Sequence, residues 1–189
     1  MPALFPALDR FDREAAIVGR LLTGYSALEY QLRLCAGMGG GDVAKAITKL
    51  FSKRIGETKR VHVADAFGRD AYGAVGLEAQ YDSAISDTLH CVKIRNQFAH
   101  CIWHDDNSGR LAFAHMEEIA APDGPGADPA NLIFLHVDMD LLQNQEAFFF
   151  FVKDTLNFLN YRRRQLVGLI SADAKLRVPT KVQRPPLHL

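Results

Sequence analysis

The sequence predicts a mainly α-helical protein: an antiparallel helical bundle with a small β-hairpin inserted before the last long helix. Over most of the chain, apolar residues recur at alternating spacings of three and four, which is the pattern of amphipathic helices. Only between about residues 110 and 139 does the period change to the alternation typical of strands. A chain of 189 residues, 48% of them hydrophobic, suits one well-packed core. Residues 1–177 are therefore expected to form a single domain.

Four helical segments are predicted before the hairpin, over residues 9–35, 43–51, 59–76 and 77–102. Asp9 is expected to cap the first helix, and Gly37 together with Gly39–Gly41 is expected to break it. Asp42 is expected to cap the second helix. The third segment is interrupted by glycines, which predicts a short helix with loops rather than one continuous helix. The fourth segment has strong helical periodicity throughout.

The hairpin, the last helix and a tail complete the predicted fold. Two short strands are predicted, at residues 111–116 and 132–139, with a turn-forming stretch rich in proline and glycine between them. Asp140 and Gln143 resemble a capping box that opens the last helix, which is expected to continue to about residue 170. Residues 178–189 are rich in proline and are expected to form an extended tail.

Charge and composition narrow the classes of function. The chain has 22 basic and 22 acidic residues, which argues against a protein that coats nucleic acid electrostatically but leaves room for a small phosphate site. The longest apolar run, residues 147–152, is far too short to cross a bilayer, and the N-terminus lacks the features of a signal peptide. The three cysteines, Cys35, Cys91 and Cys101, lack C-x-x-C spacing and fit reduced, buried thiols. A cytoplasmic protein without membrane contact is expected.

The sequence KIRNQFAHCIW carries the candidate site near the C-terminal end of the fourth helix. Asn96 and His100 are one helical turn apart and can touch. Arg95 lies roughly 140° around the helix from His100 and about 7.5 Å along it, so the two side chains diverge on one regular helix. If they act on one phosphate, either a second copy of this helix meets the first, or the helix unwinds near His100.

The six residues RNQFAH resemble the signature of the HEPN superfamily, in which an Arg with a polar neighbour and a later His stand near the end of a helix. The stretch GYSALEYQLR is similar to the long opening helix of such domains, although the hairpin is not part of their minimal bundle. The resemblance implies a homodimer with both motifs in one cleft, and metal-independent cleavage of RNA without a cofactor. It implies catalytic roles for Arg95 and His100 and a supporting role for Asn96. Many bacterial members are toxins paired with an antitoxin protein, and others act in phage defence or RNA processing.

The residue types suit that chemistry. An imidazole with a pKa near 6.5 can take or give a proton at neutral pH, and a guanidinium can hold two phosphate oxygens. Two motifs across a dimer axis would supply two imidazoles and two guanidiniums. In the alternative function, the chain is a non-catalytic helical dimer that binds nucleic acid, a ligand or a protein, and Arg95 and His100 support the fold or hold the ligand.

A metal site is a further hypothesis for the same region. His100 and His104 stand at i and i+4 with Asp105 beside them, a spacing that can bind zinc on one helical face. No Glu lies between the two histidines to act as a base, and no third ligand is obvious among the remaining histidines, which include His62, His90 and His115.

Three consecutive arginines, Arg162, Arg163 and Arg164, stand near the end of the last predicted helix. Cations at a helix C-terminus are favoured by the helix dipole, so a solvated terminus explains them without a function. The other interpretation is a contact with the RNA backbone or with a partner protein.

Overall fold

A computed structural model describes residues 6–40, 48, 55–120 and 133–188 of the chain. In chain order, its elements are α1 (Pro6–Arg10), α2 (Asp12–Gly40), α3 (Glu57–Gly73), α4 (Glu78–Ala99), β1 (Cys101–His104), β2 (Ala112–His115), α5 (Met116–Ile119), β3 (Leu135–His136) and α6 (Met139–Leu166). The prediction of a mainly helical fold with a small antiparallel sheet before the last helix is confirmed. Among the described helices, none has the length and hydropathy that crossing a bilayer requires.

The chain divides into two compact units. The hairpin unit contains the sheet and consists of Met1–Thr23, Lys93–Ala147 and Arg184–Leu189. The helical unit consists of Gly24–Val92 and Phe148–Gln183. The helices α2, α4 and α6 each contribute residues to both units. The single domain expected from chain length stays a prediction.

The first long helix differs from its predicted boundaries at both ends. α2 begins at Asp12 rather than at residue 9, because Phe11 separates it from the short helix α1. At its other end, α2 continues past the predicted end near Cys35 and ends at Gly40, within the glycine-rich stretch that was expected to break it. A glycine inside a helix costs about 1 kcal/mol relative to alanine and does not by itself end the helix. The predicted second helix, residues 43–51, lies outside the described residues apart from Thr48.

The third segment is one continuous helix, α3, rather than a short helix with loops. Its interior glycine, Gly68, is explained by packing: a Cβ at this position would stand 2.7 Å from Cζ of Tyr81. Tyr81 is fully buried and stacks on Tyr72 with ring centroids 4.3 Å apart. Gly68 therefore makes room for a ring in the core of the helical unit, which periodicity alone does not reveal.

The helix that carries the motif ends at Ala99, not at residue 102, and a strand absent from the prediction follows. This strand, β1, pairs antiparallel with β2, with Trp103 opposite Phe113. Strand pairing prevails over helix here because Ile102 and Trp103 are of the β-branched and aromatic types that pack well on a sheet. The predicted hairpin is present as β2 and β3, so the sheet has three strands in the order β1, β2, β3.

The last helix is capped differently from the prediction. Oδ1 of Asp138 accepts a hydrogen bond of 2.8 Å from the backbone N–H of Leu141, so Asp138 caps α6 and the predicted box at Asp140 and Gln143 is wrong. The helix ends at Leu166, before the predicted residue 170. The tail after it has no regular helix or strand in its described part.

The end of the tail is held within the hairpin unit. Nε2 of Gln145 donates hydrogen bonds to the carbonyl oxygens of Pro186 and Leu187, at 3.0 and 2.9 Å. Gln145 is fully buried, so these bonds satisfy an amide nitrogen that burial would otherwise leave unpaired.

Candidate functional site

The turn between α4 and β1 forms the centre of the candidate site, because it carries His100. Three aromatic rings fix this turn, with centroids between 5.7 and 6.0 Å apart: Phe98 in α4, Trp103 in β1 and Phe113 in β2. Each such pair is worth about 0.5–1.5 kcal/mol beyond its buried area. The backbone N–H of Met116 also donates to the carbonyl oxygen of His100, at 3.0 Å. His100 is therefore held at one end of the β1–β2 ladder.

A pocket of about 330 Å³ opens at this end of the ladder. Among the described residues, it is bordered by Asn96, Gln97, His100, His115 and Glu117. Its volume lies at the lower end of the roughly 300–1,000 Å³ typical of small-molecule sites, which suits a ligand of about one nucleotide. Gln97 is buried, and its amide nitrogen and oxygen have no hydrogen-bond partner among the described residues.

Two imidazoles face this pocket. His100 is exposed and His115 is half-buried, with its ring edge-on to Phe113 at a centroid distance of 5.4 Å. Within the described part of the chain, neither imidazole makes a hydrogen bond or an ion pair through its side chain. Both rings therefore keep their nitrogens available to a ligand.

Arg95 stands apart from the other two motif residues. It is half-buried and does not border the pocket. Its Nη1 donates to Oδ1 of Asn96 at 3.1 Å, so it touches the pocket wall through that amide. The described lining of the pocket therefore includes Asn96 and His100 and does not include Arg95.

The zinc reading of His100 and His104 is wrong, because it requires a helix that continues through residue 104. α4 ends at Ala99, and His104 lies in β1, where its ring stacks on Phe134 at a centroid distance of 4.7 Å. Among the described residues, no three His, Cys, Asp or Glu side chains stand close enough together to hold a metal ion.

The three arginines near the end of α6 are half-buried and engaged within the helical unit. Arg162 donates to Oε1 of Gln165 at 2.6 Å. Arg163 donates to the carbonyl oxygen of Ala71 at 3.2 Å. Arg164 lies over the ring of Tyr161, 5.5 Å from its centroid. These contacts explain the run as packing of the helix end, and a role in binding RNA or a partner stays a prediction.

The cysteines do not offer a nucleophile. Burial raises the pKa of Cys35 to about 12, and Cys35 donates to the carbonyl oxygen of Leu156 at 3.2 Å. Burial also raises the pKa of Cys101 to about 12. All three cysteines are free thiols, and Cys35 and Cys91 are buried as predicted, whereas Cys101 is half-buried. Thiols with pKa values this high are almost fully protonated at neutral pH and react slowly.

The sequence does not identify two of the pocket residues, His115 and Glu117, as acid–base groups. His115 follows the motif at a distance that no helical spacing links, so the sequence offers it only as a candidate metal ligand. No predicted strand connects it to the motif, because the hairpin that returns the end of β2 to the end of α4 is formed with β1, which the sequence predicted as part of the helix.

Comparisons with known proteins add no relative to this picture. No family model, curated protein or solved structure matches the chain significantly. The function is therefore inferred from the motif and from the pocket that two of its residues border.

Proposed function

We propose that this chain is a metal-independent endoribonuclease of the HEPN type, which cleaves RNA in the pocket beside His100. The observation that supports the proposal is the shared pocket: Asn96 and His100 of the RNQFAH motif border one space of nucleotide size. His100 is exposed there at the end of its helix, and its ring is available for proton transfer.

The reaction needs a base, an acid and a stabiliser of negative charge. A base takes the proton of the ribose 2′-hydroxyl, and the 2′-oxygen then attacks the adjacent phosphorus. An acid protonates the departing 5′-oxygen, which leaves a 2′,3′-cyclic phosphate and a 5′-hydroxyl. His100 serves in proton transfer because an imidazole exchanges protons near neutral pH. The amide of Asn96 hydrogen-bonds the phosphate or orients the imidazole.

The described wall of the pocket supplies little positive charge for binding a phosphate. No Arg or Lys stands among the described residues that border it, and Glu117 adds a carboxylate. We therefore assign to the cleft the Arg95 of a second copy, in the homodimer that the family resemblance implies. Two motifs that meet at a two-fold axis place each Arg95 near the other chain's pocket. Light scattering that finds only monomer at micromolar concentration would contradict this part of the proposal.

The alternative function is a non-catalytic binding module, in which the pocket holds a ligand or the dimer recruits a protein. The carboxylate of Glu117 and the absence of a cation among the described lining residues favour this alternative, because both oppose the binding of a phosphate. The two functions differ in one readout, the appearance of cleaved RNA.

The discriminating experiment is incubation of the purified protein with end-labelled RNA in excess EDTA. We expect cleavage that survives the chelator, yields 2′,3′-cyclic phosphate ends and is lost in His100→Ala. His62→Ala is the matched control, because His62 is exposed on α3 in the helical unit. Binding of RNA or a ligand without cleavage would favour the binding module. Cleavage that persists in His100→Ala would remove His100 from the reaction.

The biological role is the finer part of the proposal. A toxin or a phage-defence nuclease that cleaves cellular RNA should arrest growth when it is expressed in a bacterial host, and His100→Ala should abolish the arrest. If an antitoxin protein exists, its co-expression should restore growth without mutation of the pocket. Growth that is unaffected by the active enzyme would argue for RNA processing instead.

A further inference from the structure

We propose that His115 is the second acid–base residue of the reaction, and that it works with His100 of the same chain. This inference rests on the proposed ribonuclease function. It departs from the arrangement in which the two imidazoles are the two copies of His100 across a dimer axis. The histidine pair would then be complete in one chain, and only the arginine would come from the second copy.

The β1–β2 ladder is the first observation behind this assignment. His115 is paired with Cys101, the residue that directly follows His100. Beyond this pair, the backbone N–H of Met116 donates to the carbonyl oxygen of His100. The backbones at His100 and His115 are therefore close together and fixed by hydrogen bonds.

The shared pocket is the second observation. Both imidazoles border the same space of about 330 Å³. Neither side chain forms a hydrogen bond or an ion pair within the described chain, so neither is committed to holding the fold in that way. The ring of His115 stands edge-on to Phe113, which limits its motion and gives it one packed side and one open side.

Few titratable groups border the pocket in the part of the chain that the structure describes. The titratable groups that border the pocket, within the described part, are His100, His115 and the carboxylate of Glu117. Arg95 donates a hydrogen bond to Oδ1 of Asn96. The reaction needs one group that accepts a proton and one that donates a proton, and imidazole is a side chain that can serve in either role.

These two residues account for both proton transfers of the reaction. The neutral imidazole of the pair takes the proton from the 2′-hydroxyl while the 2′-oxygen forms its bond to phosphorus. The bond from phosphorus to the 5′-oxygen breaks, and the imidazolium of the pair gives its proton to that oxygen. The two rings leave the step with their protonation states exchanged, and exchange with solvent restores them.

The alternative explanation is that His115 only packs against Phe113. Loss of activity in His115→Ala would not distinguish the two explanations, because a packing defect would also deform the pocket. A substrate with an activated leaving group does distinguish them. A uridine 3′-(4-nitrophenyl phosphate) expels a stable phenolate and needs no acid, so loss of the general acid matters little for this substrate.

We expect His100→Ala and His115→Ala each to lower RNA cleavage by about 10²- to 10⁴-fold. On the nitrophenyl ester, one of the two variants, and not both, should recover to within about tenfold of the wild type, which identifies the acid. His104→Ala is the matched control, since it removes an exposed imidazole of β1 outside the pocket. Wild-type cleavage of RNA by His115→Ala, or failure of both variants on the ester, would overturn the proposal.

Mixed dimers test whether the pair lies in one chain. Chains carrying His100→Ala and His115→Ala, co-expressed with different tags and purified as heterodimers, should be inactive because each pocket lacks one imidazole. Heterodimers of Arg95→Ala with His100→Ala should be partly active, because one cleft keeps both histidines of its chain and receives Arg95 from the other. Activity in the first mixture would show that the histidines pair across chains and would overturn the assignment.

Failure of the inference is distinguishable from failure of the proposed function. If the wild-type protein cleaves neither RNA nor the nitrophenyl ester, the ribonuclease proposal fails and the inference falls with it. If the wild type cleaves RNA in EDTA and His115→Ala does so equally well, the function stands and the role of His115 is wrong.

Discussion

Polar side chains differ in burial and hydrogen bonding between two regions, the tyrosine core of the helical unit and the histidine pocket of the hairpin unit. Tyr81 is fully buried, stacks on Tyr72 and donates its hydroxyl proton to the carbonyl oxygen of Ala64 at 3.1 Å. His100 and His115 border open space and have no hydrogen bond through their rings within the described chain. The comparison teaches where substitutions should act: in the core they should change stability, and in the pocket they should change activity.

The largest expected effect is on the rate at the pocket. His100→Ala should lower RNA cleavage by about 10²- to 10⁴-fold, because it removes a proton-transfer group. Its Tm should stay within a few degrees of the wild type, because the side chain is exposed and stabilises nothing that the structure shows. Thermal unfolding and initial rates on one sample measure both quantities. A large fall in Tm would mean that His100 stabilises the fold, which would contradict the distinction between core and pocket residues.

Gly68→Ala should give the opposite result. The new methyl group would collide with the ring of Tyr81, which is fully buried and cannot move away freely. Overpacking of this kind costs about 1–3 kcal/mol in the free energy of unfolding, which urea titration measures. Cleavage by the folded protein should be unchanged well below its Tm.

Gly24→Ala provides the control for this substitution. Nothing lies within 4 Å of a Cβ at Gly24, which also stands inside a helix of the helical unit. The substitution should stabilise the protein by about 0.5–1 kcal/mol, since alanine favours helix over glycine. Equal destabilisation by both alanines would show that the ring of Tyr81 is not the cause.

Arg95→Lys sharpens the comparison with a smaller effect. An ammonium keeps the charge but loses the two-pronged hydrogen bonding of a guanidinium, so we expect a loss of about 10- to 100-fold in kcat/KM for RNA. The nitrophenyl ester should suffer a similar loss, because its phosphate develops the same charge. A loss confined to RNA would assign Arg95 to binding a distant phosphate instead.

The smallest effect concerns acid stability at the β1–β2 turn. Hydrogen bonds from the side chain and backbone N–H of Ser108, and then from His136, hold the pKa of Asp106 below its usual range. A lowered carboxylate pKa stabilises the fold above the unfolded value, near 3.9, and this stabilisation is lost as the pH falls through the folded value.

The Tm should therefore fall as the pH is lowered from 5 to 2, and it should fall less steeply in Asp106→Asn. Asp105→Asn should behave similarly, because the pKa of Asp105 is lowered first by its hydrogen bond from Arg10. Parallel curves for the wild type and Asp106→Asn would show that the carboxylate is not linked to folding. Cleavage at neutral pH should be unaffected in both variants.

The hydrophobic periodicity of the sequence predicted much of the fold, and the remaining elements depend on packing between segments. The long helices α2, α4 and α6 and the pair of β2 with β3 follow from patterns within each segment. The strand β1 does not, because its residues also fit the end of a helix and form a strand through pairing with β2. The continuity of α3 was missed for a similar reason, since a ring distant in sequence explains Gly68.

The site was predictable to the extent that it is local in sequence. Arg95, Asn96 and His100 stand in one short motif. Helix geometry left two arrangements open for Arg95 and His100, a second copy of the helix or unwinding near His100, and α4 ends at Ala99, directly before His100. His115 and Glu117 could not be found in that way, because the sheet brings them to the pocket.

The end of α4 at Ala99 has a consequence for the order in which the molecule assembles. Helical turns form within one segment, whereas the sheet that holds His100 requires β1 to pair with β2. Hairpins form in about 1–10 μs and helices in about 0.1–1 μs, so the geometry of the pocket depends on the slower of the two steps. In refolding from urea, helical ellipticity should recover before the fluorescence of Trp103, which packs on Phe98 and Phe113, and cleavage should return with the fluorescence. A chain whose helices have formed but whose sheet is unpaired would contain the whole RNQFAH motif and would not cleave RNA.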